Sequence, residues 1–364
     1  MAVISPRLHL HQSKWAAKVF GPRATTQDRL SDLPNVDDNP GDLRARCYVP
    51  HGLQGPAALV VVLHGCTQNA TVYDHGSGWS KLADRHGFIL LFPEQQRGNN
   101  PMLCFNWFAA DDTRRDSGEA ASIRSMIDAI KNLHEVDPAR VFVTGLSAGG
   151  AMASVMLATY PEVFAGGAIL AGVAYGCATG VSEAFDCMGG RARRTARELG
   201  GNVRRASPHD GPWPRIQVWQ GGADHIVAPS NADAIVQQWV DVHGLGATPD
   251  RVDEVEGHPR RTWLSRAGEP LVEHYAITGM AHGVPLASGG DNPIGVAGAH
   301  MLDVGLSSTV RIAAFFGIAP EERERPRRQH TAGAVLLPLK AEAQSVGGPQ
   351  KIIENALKAA GLMR

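Results

Sequence analysis

The sequence predicts an α/β domain built on a mostly parallel sheet, and three observations carry that expectation. Apolar runs of strand length recur without polar alternation, as in Ala58–Leu63 (Ala-Leu-Val-Val-Val-Leu) and Phe88–Phe92. Such runs belong to strands covered on both faces. Segments of helical spacing lie between strands, and Ile123, Met126, Ile127, Ile130 and Leu133 mark one apolar helix face. The third observation is Val141-Phe-Val-Thr-Gly-Leu-Ser147-Ala-Gly-Gly150. There a β-branched run enters Gly-x-Ser-x-Gly, and small residues continue to Tyr160 with helical character. That is strand, sharp turn and helix, with one serine at the apex.

In order, residues 1–41 read as an N-terminal arm and linker, broken by Pro22, Pro34 and Pro40. Residues 42–318 read as one α/β domain. Leu43–Pro50 alternates as an early edge strand, and residues 71–86 read as one helix. The loop at 94–116 carries Phe105, Trp107 and Phe108, and its length marks it as functional. Asp116 or Ser117 can cap the next helix, where Glu119 favours the positive helix end. Ala165–Ala171 is a strand. Residues 173–214 form an excursion over the active-site face, helical around 189–200. Its arginines fit a solvated helix face better than an anion site. Arg215–Gln220 is a strand and residues 230–243 a helix. Val252–Val255, Arg261–Ser265 and Val272–Ile277 are strands, the first two a hairpin-like insertion. Residues 300–316 read as a helix with Leu302, Leu306, Val310, Ala313 and Phe316 on one face. A charged linker and an amphipathic helix fill 319–364.

Composition excludes several classes. The 364 residues are 43% hydrophobic and 20% charged with net charge -1, so no global field recruits nucleic acid or an anionic membrane. No apolar run reaches about 18 residues, so no transmembrane segment is expected. Arg7, His9, His11, Lys14 and Lys18 interrupt the first 26 residues, which do not read as a secretory signal. The five cysteines, at 47, 66, 104, 177 and 187, show no Cys-x-x-Cys spacing. A zinc or thioredoxin-like site is therefore not expected.

The serine turn has the form of the nucleophile elbow of α/β-hydrolases, in which Ser, then Asp or Glu, then His follow in chain order. A serine hydroxyl needs a base to take its proton. Asp224 follows the strand ending at Gln220 through Gly221-Gly222, and His282 follows the strand ending near Ile277 through Gly279. Ser147, Asp224 and His282 are the candidate nucleophile, orienting acid and base. His225 adjoins Asp224 and cannot easily turn back onto it; His258, His274 and His300 lie in weaker contexts, as do Asp233 and Asp253. The oxyanion donors are expected to be the backbone N–H groups of Ala148 and Cys66, the latter in His64-Gly65-Cys66 after the preceding strand. Ligands in such sheets bind beyond the carboxyl ends of the strands, where all these loops gather.

These residues carry a resemblance. His64-Gly-Cys-Thr-Gln68, Cys104-Phe-Asn-Trp-Phe108, Gly145-Leu-Ser-Ala-Gly-Gly150, Tyr175-Gly-Cys-Ala178, the run through Asp224 and Gly279-Met-Ala-His282 together resemble the polyhydroxybutyrate depolymerase-type esterases. These are related to feruloyl and acetylxylan esterases. The resemblance spans residues 42–318, and the Ala-Leu-Lys-Ala-Ala-Gly-Leu-Met tail is similar too. It implies an α/β-hydrolase domain, a Ser147–Asp224–His282 triad, no metal or organic cofactor, and disulfides Cys66–Cys104 and Cys177–Cys187 with Cys47 free. It implies an extracellular ester hydrolase; the missing signal makes the cytoplasm the alternative. Secreted depolymerases of this type carry a signal peptide and a separate polymer-binding domain; the lack of both here favours oligomers, amorphous polymer or small esters over crystalline polymer.

The expected function is a serine esterase acting through an acyl-enzyme on poly- or oligo(3-hydroxybutyrate). Feruloyl or acetylxylan esters are the first alternative, followed by a serine peptidase and a catalytically silent binding protein. Trp107, Phe108 and Trp219 are candidates for the pocket wall, though each could equally be core.

Overall fold

The computed structural model describes residues 27–289 and 293–320. Residues 1–26 of the expected N-terminal arm and residues 321–364 of the expected linker and helix lie outside the described residues. One ten-stranded sheet organises the chain, in the order β1-β2-β4-β3-β5-β6-β7-β10-β9-β8. Its strands are β1 (Ser31–Asp32), β2 (Arg44–Tyr48), β3 (Ala57–Leu63), β4 (Ile89–Glu94), β5 (Val136–Leu146), β6 (Gly166–Leu170), β7 (Arg215–Gly221), β8 (Arg251–Val255), β9 (His258–Leu264) and β10 (Pro270–Ile277). The strands from β4 across to β10 run parallel; β1, β2, β9 and β8 flank them antiparallel.

The continuous apolar runs are explained by two cores. On one face Leu59, Val61 and Leu63 of β3 meet α3 (Gly118–Leu133), α4 (Ala148–Thr159), α6 (Ala196–Ala206) and α7 (Ser230–Val242). On the other, Ala58, Val60 and Val62 meet α1 (Ala70–Ser77), α2 (Trp79–His86) and α8 (Ser308–Phe315). Adjacent strand residues point to opposite faces, so a strand covered twice must be apolar at every position.

Several boundaries differ from the sequence expectation. The helix expected over 71–86 is two helices, because Gly78 takes φ 75 and a Cβ there would fall 2.1 Å from Ile294 O. Leu30 and Leu33 are buried and β1 pairs with β2, so part of the expected linker is sheet and β2 is not an edge. In the 173–214 excursion, helices form at α5 (Val181–Met188) and α6, so the expected 189–200 helix begins only at Ala196 and runs on to Ala206. A capping box starts α6: Thr195 Oγ1 accepts from Glu198 N–H, and Glu198 accepts from Thr195 N–H at 2.7 Å. The helix expected over 300–316 splits. Met301–Asp303 is β12, parallel to β11 (Val284–Leu286), and α8 starts only after Ser307. Leu302 and Leu306 mimic helical spacing, but Gly305 at φ 77 interrupts them.

Candidate active site

Ser147 links β5 to α4 with φ 57 and ψ −119, a conformation that costs a non-glycine residue about 1–3 kcal/mol. The packing leaves no room for side chains beside it. A Cβ on Gly145 would fall 2.4 Å from Gly149 O, and one on Gly149 would fall 2.3 Å from Leu63 O. The Ser147 N–H donates to Leu170 O at 2.9 Å, and Ser147 O accepts from Ala151 N–H at 2.8 Å. The turn is therefore pinned on both sides while the side chain lines a cavity.

Asp224 and His282 come from turns after β7 and β10, which are neighbours in the sheet. Gly222 N–H donates to Ile277 O and Ala223 N–H to Met280 O, both at 2.9 Å, and these main-chain bonds join the two turns. His282 Nδ1 lies 2.7 Å from Asp224 Oδ2. The same oxygen accepts from Gln220 Nε2 at 3.0 Å, and Oδ1 accepts from the Ile226 and Val227 N–H groups at 2.9 Å each. Burial pushes the Asp224 carboxyl up. The His282 hydrogen bond and charge, with the two backbone donors, outweigh it and hold the acid below its ordinary value. An acceptor-only carboxylate fixes the proton of His282 on Nδ1 and leaves Nε2 with its lone pair.

The opposite wall is the turn after β3. Gly65 N–H donates to Gln68 Oε1 at 2.9 Å, and Thr67 N–H to Met102 O at 2.7 Å. Neither bond uses the Cys66 N–H. Ala148 is the first residue of α4, so its N–H has no carbonyl one turn back. His64 is buried, which pushes its pKa below the ordinary histidine value. Its neutral ring donates from Nδ1 to Gly65 O at 2.8 Å and accepts at Nε2 from Gln95 N–H at 3.1 Å. Disulfides join Cys66 to Cys104 and Cys177 to Cys187, and Cys47 is free and buried.

The cavity, of about 290 Å³, is lined by Ser147, His282, Cys66, Ala148, Trp107 and Phe108, with α5 closing one side through Val181, Phe185 and Met188. Trp219 does not line it. That indole is buried, stacks on Tyr275 at 3.9 Å between ring centroids and donates to Gln217 Oε1 at 2.8 Å. It occupies the core because alternate residues of β7 face opposite layers. His300, passed over in the sequence, does reach the cavity, and its Nδ1 lies 3.1 Å from His282 O. Only the loop before β12 brings it there, and no strand-end pattern marks it. Glu119 lies in the first turn of α3, as its position in the sequence suggests, but it is fully buried and bonded to the 95–106 loop.

The Esterase PHB depolymerase family model matches residues 44–256. Poly(3-hydroxyalkanoate) depolymerase C of Paucimonas lemoignei is 48% identical over 291 residues, 79% of this chain and 70% of that protein. The chain belongs to the Esterase PHB depolymerase family. An acetylxylan esterase of Coprinopsis cinerea is 34% identical over 264 residues, 71% of this chain and 70% of its own length. The acetyl xylan esterase structure from Aspergillus awamori superposes with TM-score 0.68 at 24% identity, covering 80% of this chain and 99% of its own, and shows the shared fold. This member of the esterase family is a carboxylic ester hydrolase with the α/β-hydrolase fold. No helix among the described residues is long and apolar enough to cross a membrane.

Proposed function

We propose that Ser147 is the nucleophile of an acyl-enzyme mechanism, with His282 as proton carrier and Asp224 as its orienting acid. The observation that carries this reading is the 2.7 Å Asp224–His282 contact in the cavity that Ser147 enters from a strained turn. His282 Nε2 takes the Ser147 proton as Oγ attacks the ester carbon. The Cys66 and Ala148 N–H groups receive the negative oxygen, and each such donor is worth about 2.7–4 kcal/mol of barrier. Collapse expels the alkoxide, which takes the proton from His282. Water then repeats the sequence on the acyl-enzyme and releases the acid.

The substrate of this reading is poly- or oligo(3-hydroxybutyrate). The 48% identity to a poly(3-hydroxyalkanoate) depolymerase supports it. So does a lining that, among the described residues, holds no Asp, Glu, Lys or Arg, which suits an uncharged polyester. Acetylated or feruloylated carbohydrate is the second reading, supported by the 34% identical acetylxylan esterase. Two disulfides support an oxidising, extracellular location. The test is product analysis of purified protein on amorphous polyhydroxybutyrate, a hydroxybutyrate dimer, methyl ferulate and a p-nitrophenyl ester, with Ser147→Ala as control. Hydroxybutyrate release that stops in Ser147→Ala is the expected result. Release that survives the substitution sinks the mechanism, and ferulate release alone sinks the substrate.

A further inference from the structure

Three ties bind the 64–68 turn to one neighbouring stretch. Gln95 N–H reaches His64 Nε2, Met102 O receives the Thr67 N–H, and Cys104 is bonded to Cys66. That stretch is in turn gathered onto one buried carboxyl. Glu119, in the first turn of α3, is 0% exposed. Its Oε1 accepts from Gln95 Nε2 at 2.6 Å and from Asn99 Nδ2 at 3.3 Å, and its Oε2 accepts from Asn106 N–H at 2.8 Å. The same Gln95 amide donates to Cys104 O at 3.0 Å. Glu119 therefore ties the two ends of the 95–106 loop together at a point beside the disulfide. The backbone at Gly41 closes over it, where a Cβ would fall 2.5 Å from Glu119 Cα.

A role in packing alone does not explain a carboxyl here. A buried acid is costly, and an apolar residue of similar volume would fill the space without that cost. Burial and the nearby Asp112 carboxylate push this one up to about 8, against the Asn106, Gln95 and Asn99 hydrogen bonds. All three partners donate, so the ionised form is the one their arrangement fits.

We propose that Glu119 is a positioning residue for oxyanion stabilisation, acting through Gln95, His64 and the Cys66–Cys104 bridge to fix the Cys66 N–H. This rests on the reading of Cys66 as an oxyanion donor. A donor held off its position is lost mainly from the transition state, where the negative oxygen forms. Glu119 touches no substrate, and its effect is on kcat rather than on KM.

The test is steady-state hydrolysis of p-nitrophenyl butyrate at pH 8.5 by Glu119→Gln and Gln95→Met. It is paired with inhibition by butaneboronic acid, which adds to the serine oxygen as a tetrahedral adduct. The expected result is a kcat lowered about tenfold or more, KM within about twofold, and a boronate Ki raised by the same factor as kcat falls. Gln95→Met keeps the question decidable should Glu119→Gln not fold. Either folded variant with wild-type kcat and Ki overturns the proposal, and so does a raised KM at unchanged kcat, which would make the loop a pocket wall only. Ser147→Ala is run alongside. Activity surviving there refutes the serine mechanism itself, whatever the Glu119 and Gln95 variants do.

Discussion

The two walls of the cavity are held by different means. On the histidine wall, Asp224 and His282 ride on turns leaving adjacent parallel strands, and main-chain hydrogen bonds join those turns directly. Sheet register alone brings them together. On the wall that bears Cys66, the turn after β3 is held by the His64 ring, by main-chain groups of the 95–106 stretch and by a disulfide, and that stretch is gathered onto a buried carboxyl. The first wall is a product of topology, whereas the second also depends on a ring, a disulfide and a buried carboxyl, each of which one substitution can remove.

The largest expected effect tests the histidine wall. Asp224→Asn favours the wrong His282 tautomer and should lower kcat by about 10⁴-fold. Its urea midpoint should fall, because the carboxylate's bonds from Gln220, Ile226 and Val227 are weakened; a kcat loss below tenfold in the folded variant would place the orienting acid elsewhere. Next comes the bridge on the opposite wall. Replacing both Cys66 and Cys104 with alanine opens a loop with sequence separation 38 and should cost about 4 kcal/mol in urea unfolding, with a fall in kcat. Unchanged kcat would mean that the side chains hold the turn unaided.

A third test reads Glu119 through pH. Below about pH 4.5 both folded and unfolded states hold its proton; between 4.5 and about 8 the folded state alone keeps it. Stability should fall across that window and level off above it. Glu119→Gln should remove this component, worth about 2–5 kcal/mol between pH 5 and 8.5 by urea titration. An identical slope in the variant would refute the assignment. The smallest effect belongs to Gln220→Ala, which removes one donor to Asp224 and should cost about 1 kcal/mol. The lowered Asp224 pKa contributes stability above the ordinary carboxylate range that is lost as pH falls through the folded value. With one donor fewer, that acid loss should begin at higher pH, and a circular-dichroism acid titration of both proteins reads the shift.

The same contrast explains what was legible in the sequence. The buried strands, the serine turn and the chain order of acid and histidine follow from local pattern, because each loop hangs from a strand whose apolar run is visible. Glu119 was not legible in its actual place. A glutamate in a first helical turn has an ordinary reason to be there, and only the folding back of residues 95–106 buries it. His300 and Trp219 exchanged roles for a similar reason. Strand alternation sends Trp219 into the core, and an irregular loop carries His300 to the cavity. The helix expected from residue 300 failed because apolar spacing cannot register a backbone reversal at Gly305.

Gly149 has a consequence for re-engineering. The carbonyls that a methyl group there would strike, Leu63 O at 2.3 Å and His64 O at 2.5 Å, stand immediately before Gly65 and Cys66. To accept that methyl, the helix behind Ser147 and the turn bearing Cys66 must separate by roughly 1 Å to restore van der Waals contact. One absent side chain thus sets the spacing between the helix after Ser147 and the turn bearing Cys66, and neither can be moved without the other. Room for bulkier acyl groups is better sought at Val181, Phe185 and Met188 of α5, which also line the cavity.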